Sequence, residues 1–180
     1  MKDFSKKNKI CILRLSAIGD CCHVLGAINA LRNHDKDAEI TWIIGKNEYQ
    51  IFREVKGVTF QVIDKKNLIL SIFSLWMTLR DKKFDTLLNM HASLSANLVS
   101  LVIKAGRRIG FDKKRSRDGQ RFLCNDYIYP SKKQHQSLAM CEFINRLYGL
   151  EFLPVWEPLN IYPEDKNVEE YIDNKKISCL

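Results

Sequence analysis

The residues best suited to chemistry lie at a single turn near the start of the chain. Asp20 ends the segment KICILRLSAIGD (residues 9–20), in which an apolar run is followed by a turn over residues 16–20. From residue 21 onwards the apolar residues recur with helical spacing, so a strand, a turn and a helix form a first βα unit. Parallel sheets place ligands at the carboxyl ends of their strands, and a carboxylate there can accept a proton from a substrate hydroxyl.

The same aspartate also has a structural interpretation, which its spacing alone favours. Asp20 would cap the first helix by accepting a hydrogen bond from the backbone N–H of Cys22 or His23. A helix N-terminus stabilises the charged form of a carboxylate, so capping and base catalysis oppose each other. The turn has neither GxGxxG nor GxxxxGK[ST] spacing, which argues against the standard dinucleotide and P-loop sites. The N–H groups at the start of the helix can still hold an anion.

A second group of candidates is basic and contributes to the formal net charge of +8. Its members are Arg107, Arg108, Lys113, Lys114, Arg115, Arg117 and Arg121. Arginine suits carboxylates and phosphates, so the group predicts an acidic partner: a phosphorylated or carboxylated substrate, nucleic acid, or an anionic membrane. Few aromatic residues stand among these charges, which disfavours a stacking platform for single-stranded nucleic acid. A solvated basic surface without a ligand explains the same pattern equally well.

The histidines and cysteines have no catalytic or metal-binding spacing. The four histidines, His23, His34, His91 and His135, are scattered, and each alone is more consistent with a structural role. His91 follows the fourth predicted strand, on the same sheet edge as Asp20, where it could line a cleft. The six cysteines form no CxxC pair, and the apolar surroundings of Cys11 and Cys141 predict buried free thiols in a reducing compartment. We therefore expect no metal site.

Apolar periodicity predicts an α/β fold for most of the chain. Predicted strands cover residues 9–15, 38–44, 59–63, 84–90 and 107–111, with a brief extended piece at 127–129. Predicted helices cover about 21–33, 47–55, 67–80, 93–104 and 134–148. The alternation predicts a parallel sheet with helices on both faces. The helix ending near Lys104 is apolar on most of its circumference, which predicts burial between layers; Gly106 would stop it, and Gly149 would cap the last helix.

Composition bounds the class of protein. The chain has 180 residues, of which 46% are hydrophobic, which is typical of a globular domain with a sizeable core. No apolar run approaches the roughly 20 residues that span a bilayer, and the basic start lacks a secretory signal, so we expect a cytosolic protein. Residues 152–163 contain three prolines and predict a linker, and residues 176–180 begin a further strand, which suggests a missing second half.

Taken together, these segments resemble the ADP-heptose:lipopolysaccharide heptosyltransferase family of bacterial glycosyltransferases. The resemblance covers roughly residues 9–160 and rests on an opening strand, turn and helix (ILRLSAIGDCCHVLGAINALR) and a second strand (DAEITWII). It continues through the middle segment FDTLLNMHASLSANLVSLVIKAGRRIGFDKKRSRDGQRF and the His-led last helix KKQHQSLAMCEFINRLYGL. The turn, the segment RRIGFDKKRSRDG and QHQ, in this order, are fairly specific to the family.

The resemblance implies the first half of a GT-B architecture, in which two Rossmann-like domains face each other across a cleft. Residues 1–155 would form the acceptor-binding domain, and residues 156–180 a linker and the truncated start of the donor domain, so the 180-residue chain alone would be inactive. Asp20 would be the catalytic base that deprotonates the acceptor hydroxyl, which displaces ADP from ADP-heptose with inversion and without a metal or other cofactor. The implied acceptor-binding residues are Ser16, Gly19, His91, Lys113, Lys114, Arg115, Arg117 and Arg121.

The implied acceptor is the acidic lipid A–Kdo/heptose inner core of lipopolysaccharide. Such an enzyme works at the cytosolic face of the bacterial inner membrane, where basic surface would give peripheral attachment, and nucleic acid is not an expected partner. Two alternatives stay open: a related GT-B transferase for another sugar, and a basic α/β module that binds an anionic polymer or membrane without catalysis. The sequence departs from the family at Gly26, commonly a proline, which is expected to loosen the start of the helix, and at residues 89–92, where many members have an acidic residue and a Gln-Gly pair.

Overall fold

The computed structural model of this chain describes residues 7–130 and 134–157, and this part forms a parallel sheet of six strands. The strands are β1 (Lys9–Leu13), β2 (Glu39–Gly45), β3 (Val58–Ile63), β4 (Phe84–Asn89), β5 (Ala105–Gly110) and β6 (Asp126–Tyr127). The helices are α1 (Ile18–His34), α2 (Lys46–Phe52), α3 (Leu68–Leu79), α4 (Leu94–Leu101), α5 (Gln120–Leu123) and α6 (Gln136–Tyr148). A 3₁₀ turn over Lys65–Asn67 leads into α3.

The strand order β3-β2-β1-β4-β5-β6 confirms a Rossmann-like parallel sheet. The chain builds outward from β1 to β3, and then β4 returns to pair with the other side of β1. Leu13 at the end of β1 therefore stands level with Ile43 on one side and Asn89 on the other. In open α/β sheets the reversal of strand order leaves a crevice at the carboxyl ends, and here it falls between β1 and β4.

Both faces of the sheet are covered, as the apolar strand patterns predict. Along β1, Ile10 and Ile12 join a core that includes α1 and α6, whereas Cys11 and Leu13 join a core that includes α3 and α4. All four side chains are buried. A strand buried on both faces reads as a continuous apolar run, which is why β1 is recognisable from its sequence.

The segment between α4 and β5 differs from the prediction. Gly106, expected to stop a helix, is the second residue of β5, and α4 ends at Leu101. The apolar residues Val102 and Ile103 continue the pattern past the end of α4, so periodicity alone does not show where the helix ends. The predicted burial of α4 between layers is also wrong: Ala96 and Val99 are buried, but Leu94 is largely exposed.

The carboxyl-terminal half contains two further elements that the sequence only outlined. Residues 112–122, expected to be a surface loop, run into the short helix α5. The extended piece expected at 127–129 appears as β6, which pairs in parallel with β5. His135 caps α6 by accepting a hydrogen bond from the backbone N–H of Ser137, and Gly149 ends the helix in the left-handed conformation, as predicted.

No helix within residues 7–130 and 134–157 combines the length and the apolar character needed to cross a membrane. The strand predicted at residues 176–180, most of the proposed linker 156–180, and Cys179 lie outside the described residues.

Candidate active site at the carboxyl edge of the sheet

Asp20 lies at the carboxyl edge of the sheet but does not cap α1. The helix begins at Ile18, with Ala17 as its N-cap residue and no side-chain cap hydrogen bond, so the capping interpretation of Asp20 is wrong. Its carboxylate instead accepts a hydrogen bond from the Arg14 guanidinium through Oδ2. The Asp20 side chain is 34% exposed, so one face of the carboxylate is held by an arginine while the group stays accessible from the crevice.

Arg14 is the buried cation beneath this carboxylate. It follows β1 directly, is 7% exposed, and donates through Nη1 to the backbone carbonyl of Met90 at 2.7 Å. Its own backbone is held by β2, because its N–H donates to Ile43 and its carbonyl accepts from the Trp42 indole. Burial lowers the pKa of Arg14 and the nearby Asp20 charge raises it, but arginine stays protonated because its ordinary pKa is so high.

His91 lies next to this pair, immediately after β4. The backbone N–H of Leu15 donates to His91 Nδ1 at 3.1 Å, so Nδ1 carries no proton and the imidazole presents an Nε2–H donor. Burial, reinforced by the charges of Arg14 and Lys65, lowers the pKa of His91 to about 3. His91 is therefore a neutral hydrogen-bond donor near neutral pH and is not a proton acceptor there.

Ser16 and Gly19 shape the turn above β1. The Ser16 hydroxyl accepts a hydrogen bond from Lys65 Nζ, which joins the turn to the segment after β3. Gly19 faces open space: a Cβ placed there would meet nothing within 4 Å. The start of α1 is therefore open on the side where a substrate would approach the carboxylate.

Two cationic residues beside the turn escaped the sequence analysis. Lys65 and Lys46 line a cleft of about 170 Å³ between the carboxyl ends of β2 and β3, and Lys46 forms a 3.1 Å ion pair with Asp64. Hydrogen bonds from the Lys66 backbone and Lys46 lower the pKa of Asp64. The signal that could have found these lysines is their position directly after two predicted strands, at the same edge as Asp20.

The basic loop, residues 113–121, is tied to this same edge. The buried Gln120 side chain donates to the Asn89 carbonyl at 2.8 Å and accepts from the Phe111 backbone N–H at 3.3 Å, which joins the ends of β4 and β5. Asp118 accepts a hydrogen bond from the backbone N–H of Leu94. These contacts hold the loop beside the β4–α4 connection that carries His91.

Within the loop, the candidate residues differ in availability. Arg115 pairs with Asp112 and also donates to the Tyr129 carbonyl. Burial raises the pKa of Asp112, but the Arg115 bond and two backbone N–H donors outweigh it, so that pKa lies below its usual value. The exposed members of the loop are Lys113, Lys114, Arg117 and Arg121, and the last of these lies over the Tyr127 ring.

Arg107 and Arg108 do not belong to this site. Arg107 pairs with Asp126 at 2.7 Å and donates to carbonyls at the end of α6. Arg108 donates to the carbonyls of Ser100, Ile103 and Leu123. Both guanidiniums therefore connect β5 to its neighbours, so the basic group predicted from the sequence divides into a structural pair and a surface loop.

The cysteines behave as predicted for the described residues, where all five are free thiols. Burial raises the pKa of Cys21 to about 12 and those of Cys124 and Cys141 to about 11, so these thiols stay protonated and unreactive. Within the described ranges, no group of three His, Cys, Asp or Glu side chains is placed to hold a metal ion.

Known proteins share both the sequence and the fold. A sequence model of glycosyltransferase family 9 (heptosyltransferase) matches residues 72–171. The lipopolysaccharide core heptosyltransferase OpsX of Haemophilus influenzae is 36% identical over 171 residues, which is 95% of this chain and 49% of OpsX.

Two solved structures show the same fold at low identity. A family 9 glycosyl transferase from Veillonella parvula superposes with a TM-score of 0.74 at 19% identity, over 87% of this chain and 46% of that one. The E. coli heptosyltransferase WaaC with ADP gives 0.70 at 16%, over 83% and 49%. The chain thus spans about half the length of these relatives and has the fold found in half of a GT-B heptosyltransferase. On the family match and the identity to OpsX, this chain belongs to glycosyltransferase family 9, the heptosyltransferase family.

Proposed function

We propose that this chain supplies the acceptor-binding half of a heptosyltransferase and that Asp20 is its general base. The observation that carries the proposal is the partly exposed Asp20 carboxylate at the β1–β4 crevice, held in one orientation by the buried Arg14. A base must be presented in a fixed geometry to a substrate hydroxyl, and a carboxylate anchored on one side and open on the other meets that need.

In the proposed reaction, Asp20 takes the proton of the acceptor hydroxyl as that oxygen attacks the anomeric carbon of the heptose. The new carbon–oxygen bond forms opposite the bond to ADP, which breaks and leaves its electron pair on the diphosphate, so the configuration inverts. ADP-heptose is the proposed donor, since WaaC has been solved with ADP and with ADP-2-deoxy-2-fluoro heptose. His91, neutral with its proton on Nε2, would donate a hydrogen bond to the acceptor.

The proposed acceptor is the acidic lipid A–Kdo/heptose inner core, met at the cytosolic face of the inner membrane. Cations flank Asp20 on both sides: Lys46 and Lys65 beyond β2, and the exposed members of the basic loop beyond β4. Ser16 and Gly19 would contact the acceptor beside the carboxylate. Carboxylates and phosphates of the inner core suit such a surface. We further propose residues 1–155 as the acceptor domain, with residues 156–180 leading towards a donor domain.

The test of the base is the Asp20→Asn variant in a version of the protein that carries a donor domain. We expect kcat to fall by about 10²- to 10⁴-fold because the amide cannot accept the proton. Binding of Kdo-containing lipid A by the 180-residue chain should persist. Unchanged turnover in Asp20→Asn would contradict the proposed role. Asp37→Asn makes the same change at an exposed aspartate between α1 and β2 and serves as the matched control.

A second candidate function is favoured by the exposed charges alone: a basic module that binds anionic polymers without catalysis. Lys113, Lys114 and Arg117 are exposed and would serve either function. Titration of the chain with duplex DNA and with Kdo-containing lipid A, at several salt concentrations, separates the two. Equal affinities with a steep salt slope for DNA would favour the polymer-binding module.

A further inference from the structure

An unusually apolar helix face lies outside both cores, on the side of the sheet opposite α1 and α6. Six exposed residues of α3 and α4 define what we call the α3–α4 apolar surface: Ile69, Leu70, Phe73, Trp76, Leu94 and Leu101. Ile69 is 83% exposed and Leu70 is 70% exposed, which are high values for aliphatic side chains. Clustered apolar exposure on this scale marks an interaction site, whereas scattered single residues do not.

Helix α3 carries no charged residue and few polar groups that face solvent. Its sequence is LILSIFSLWMTL, and its core-facing residues Leu75 and Leu79 are buried as expected for one face. The Ser71 hydroxyl donates to the Asp64 carbonyl, and the Thr78 hydroxyl donates to the Ser74 carbonyl. Because these hydroxyls bond to the backbone, the outer face of α3 is apolar almost throughout, and a helix apolar on all sides is normally covered.

Cations frame this apolar face at both ends. Lys65 and Lys66 stand directly before α3, and Arg80, Lys82 and Lys83 follow it; all five are exposed. Phe73 and Trp76 lie between them with ring centroids 5.9 Å apart. Apolar and aromatic side chains enter the headgroup–acyl boundary of a bilayer, while lysines and arginines next to them meet lipid phosphates.

We propose that the α3–α4 apolar surface docks on an anionic lipid bilayer, with α3 lying in the plane of the interface. A second copy of the chain is the less suitable occupant, because α3 is basic at both ends. Pairing two copies face to face, in either direction, would oppose like charges. An anionic bilayer complements both the apolar centre and the cationic ends.

Docking in this orientation would place the turn that precedes Asp20 near one end of the docked helix. Lys65, at the start of the surface, donates to Ser16 in the turn that precedes Asp20. A lipid-linked acceptor would then meet the crevice beside the bilayer surface, although this consequence rests on the proposed function. The docking itself does not, because it concerns a surface that carries no catalytic group.

The test is co-sedimentation of the 180-residue chain with vesicles of phosphatidylethanolamine and phosphatidylglycerol, which contain no lipopolysaccharide. We expect binding at low salt, and at least tenfold weaker partitioning for a Phe73→Ser/Trp76→Ser double variant. Phe122→Ser is the matched control, since it removes an aromatic side chain that is 91% exposed but lies on α5. Trp156→Phe leaves Trp76 as the exposed indole within the described residues, and its fluorescence should shift to the blue on binding.

The possible results distinguish a bilayer from a second copy of the chain as the occupant, and they distinguish membrane docking from the proposed function. Undiminished binding by the double variant, or absence of binding by the parent chain, would overturn membrane docking. A dimer in sedimentation equilibrium that the double variant abolishes, without vesicle binding, would assign the surface to a second copy instead. Because both substituted side chains are exposed, unfolding is not expected, and circular dichroism checks it. Vesicle binding that persists while Kdo-containing lipid A adds nothing would fault the proposed acceptor and leave docking intact.

Discussion

Among single residues, Arg14 is the one on which the geometry of Asp20 depends. Its guanidinium joins the Met90 carbonyl to the Asp20 carboxylate, and its own exposure is only 7%. Replacement by Met keeps the unbranched apolar stem of the side chain but leaves that buried carbonyl without its donor. Lysine would not substitute, because a single ammonium lacks the fork that reaches both partners.

We therefore predict that Arg14→Met lowers the free energy of unfolding by about 1–3 kcal/mol, because a buried acceptor loses its partner. Urea denaturation of the 180-residue chain measures this. Arg117→Met removes an exposed arginine and should change stability by no more than about 0.5 kcal/mol. Equal midpoints for Arg14→Met and the parent chain would show that the guanidinium contributes nothing to the fold.

His91 leads to a prediction about how the stability of the fold depends on pH. Burial lowers its folded-state pKa to about 3, whereas an unfolded histidine titrates near roughly 6.5. As the pH falls below 6.5 the unfolded chain therefore takes up the proton first, so His91 destabilises the fold progressively between pH 6.5 and 3. Above pH 6.5 both states are neutral and the effect is absent.

Between pH 6.5 and pH 5 the parent chain should lose about 1–2 kcal/mol of stability that His91→Gln does not lose. His34→Gln, which removes an exposed histidine, serves as the matched control. The direct measurement is the NMR titration of the imidazole, which should stay neutral with the proton on Nε2 down to about pH 4. A midpoint near 6 would remove the basis for treating His91 as a permanent donor.

The sequence located part of this site and missed the rest for a physical reason. Asp20 and His91 could be placed at one edge because each follows a strand, and parallel strands share an edge. The role of Arg14 depends on a carbonyl 76 positions away, and no local pattern reports such a contact. The interpretation of Asp20 as a cap failed because the ion pair with Arg14, not local spacing, determines where its carboxylate lies.

Among the secondary-structure elements, α1 contains Gly26 at a point where another segment of the chain packs closely against the helix. It was expected to loosen the start of the helix, but α1 begins at Ile18 and Gly26 lies buried within it. A Cβ there would lie 3.2 Å from Pro154 and from the Trp156 ring. The Gly26 carbonyl accepts from the Val155 backbone N–H at 2.9 Å, so the segment after α6 packs along α1.

We predict that Gly26→Ala weakens this packing, although alanine favours a helix by about 1 kcal/mol. The methyl group must push residues 154–156 away, and the Val155 amide should exchange its hydrogen at least tenfold faster. Hydrogen exchange followed by mass spectrometry measures this, with Gly19→Ala as control, since a Cβ there meets nothing within 4 Å. Unchanged protection of Val155 would mean that the segment accommodates the methyl group.

The other elements differ in how far their sequences define them. Strands β1 to β4 could be predicted within two residues at either end. Strands β1, β2 and β4 are dense apolar runs, and the edge strand β3 is rich in β-branched and aromatic residues. The boundary between α4 and β5 could not, since apolar residues continue past the end of α4 and the pairing of Ala105 with Phe84 in β4 decides where β5 begins. The two-residue strand β6 exists through its pairing with β5, so the sequence could indicate only an extended piece there.

The molecule as a whole carries two separate cationic surfaces, and we predict that they contribute differently to binding of the acceptor. The basic loop lies beside His91 at the carboxyl edge of the sheet, whereas Lys82 and Lys83 lie between α3 and β4, at the opposite edge. Of these two surfaces, the loop is the one positioned to distinguish an acidic acceptor at the crevice from ordinary anionic lipid. We expect the parent chain to bind nanodiscs with Kdo-containing lipid A more tightly than nanodiscs of phosphatidylglycerol alone. In a Lys113→Glu/Arg117→Glu double variant, the ratio of these two affinities should fall at least tenfold.

The matched variant, Lys82→Glu/Lys83→Glu, makes the same change in charge at the other surface. It should weaken binding to both kinds of nanodisc equally and preserve the difference between them, because long-range attraction to the bilayer is shared while contact with the acceptor is local. Surface plasmon resonance on paired nanodiscs at 50 and 300 mM salt measures both quantities. If the two variants lower both affinities alike, the net charge alone drives binding, and the basic loop has no special part in recognising the acceptor.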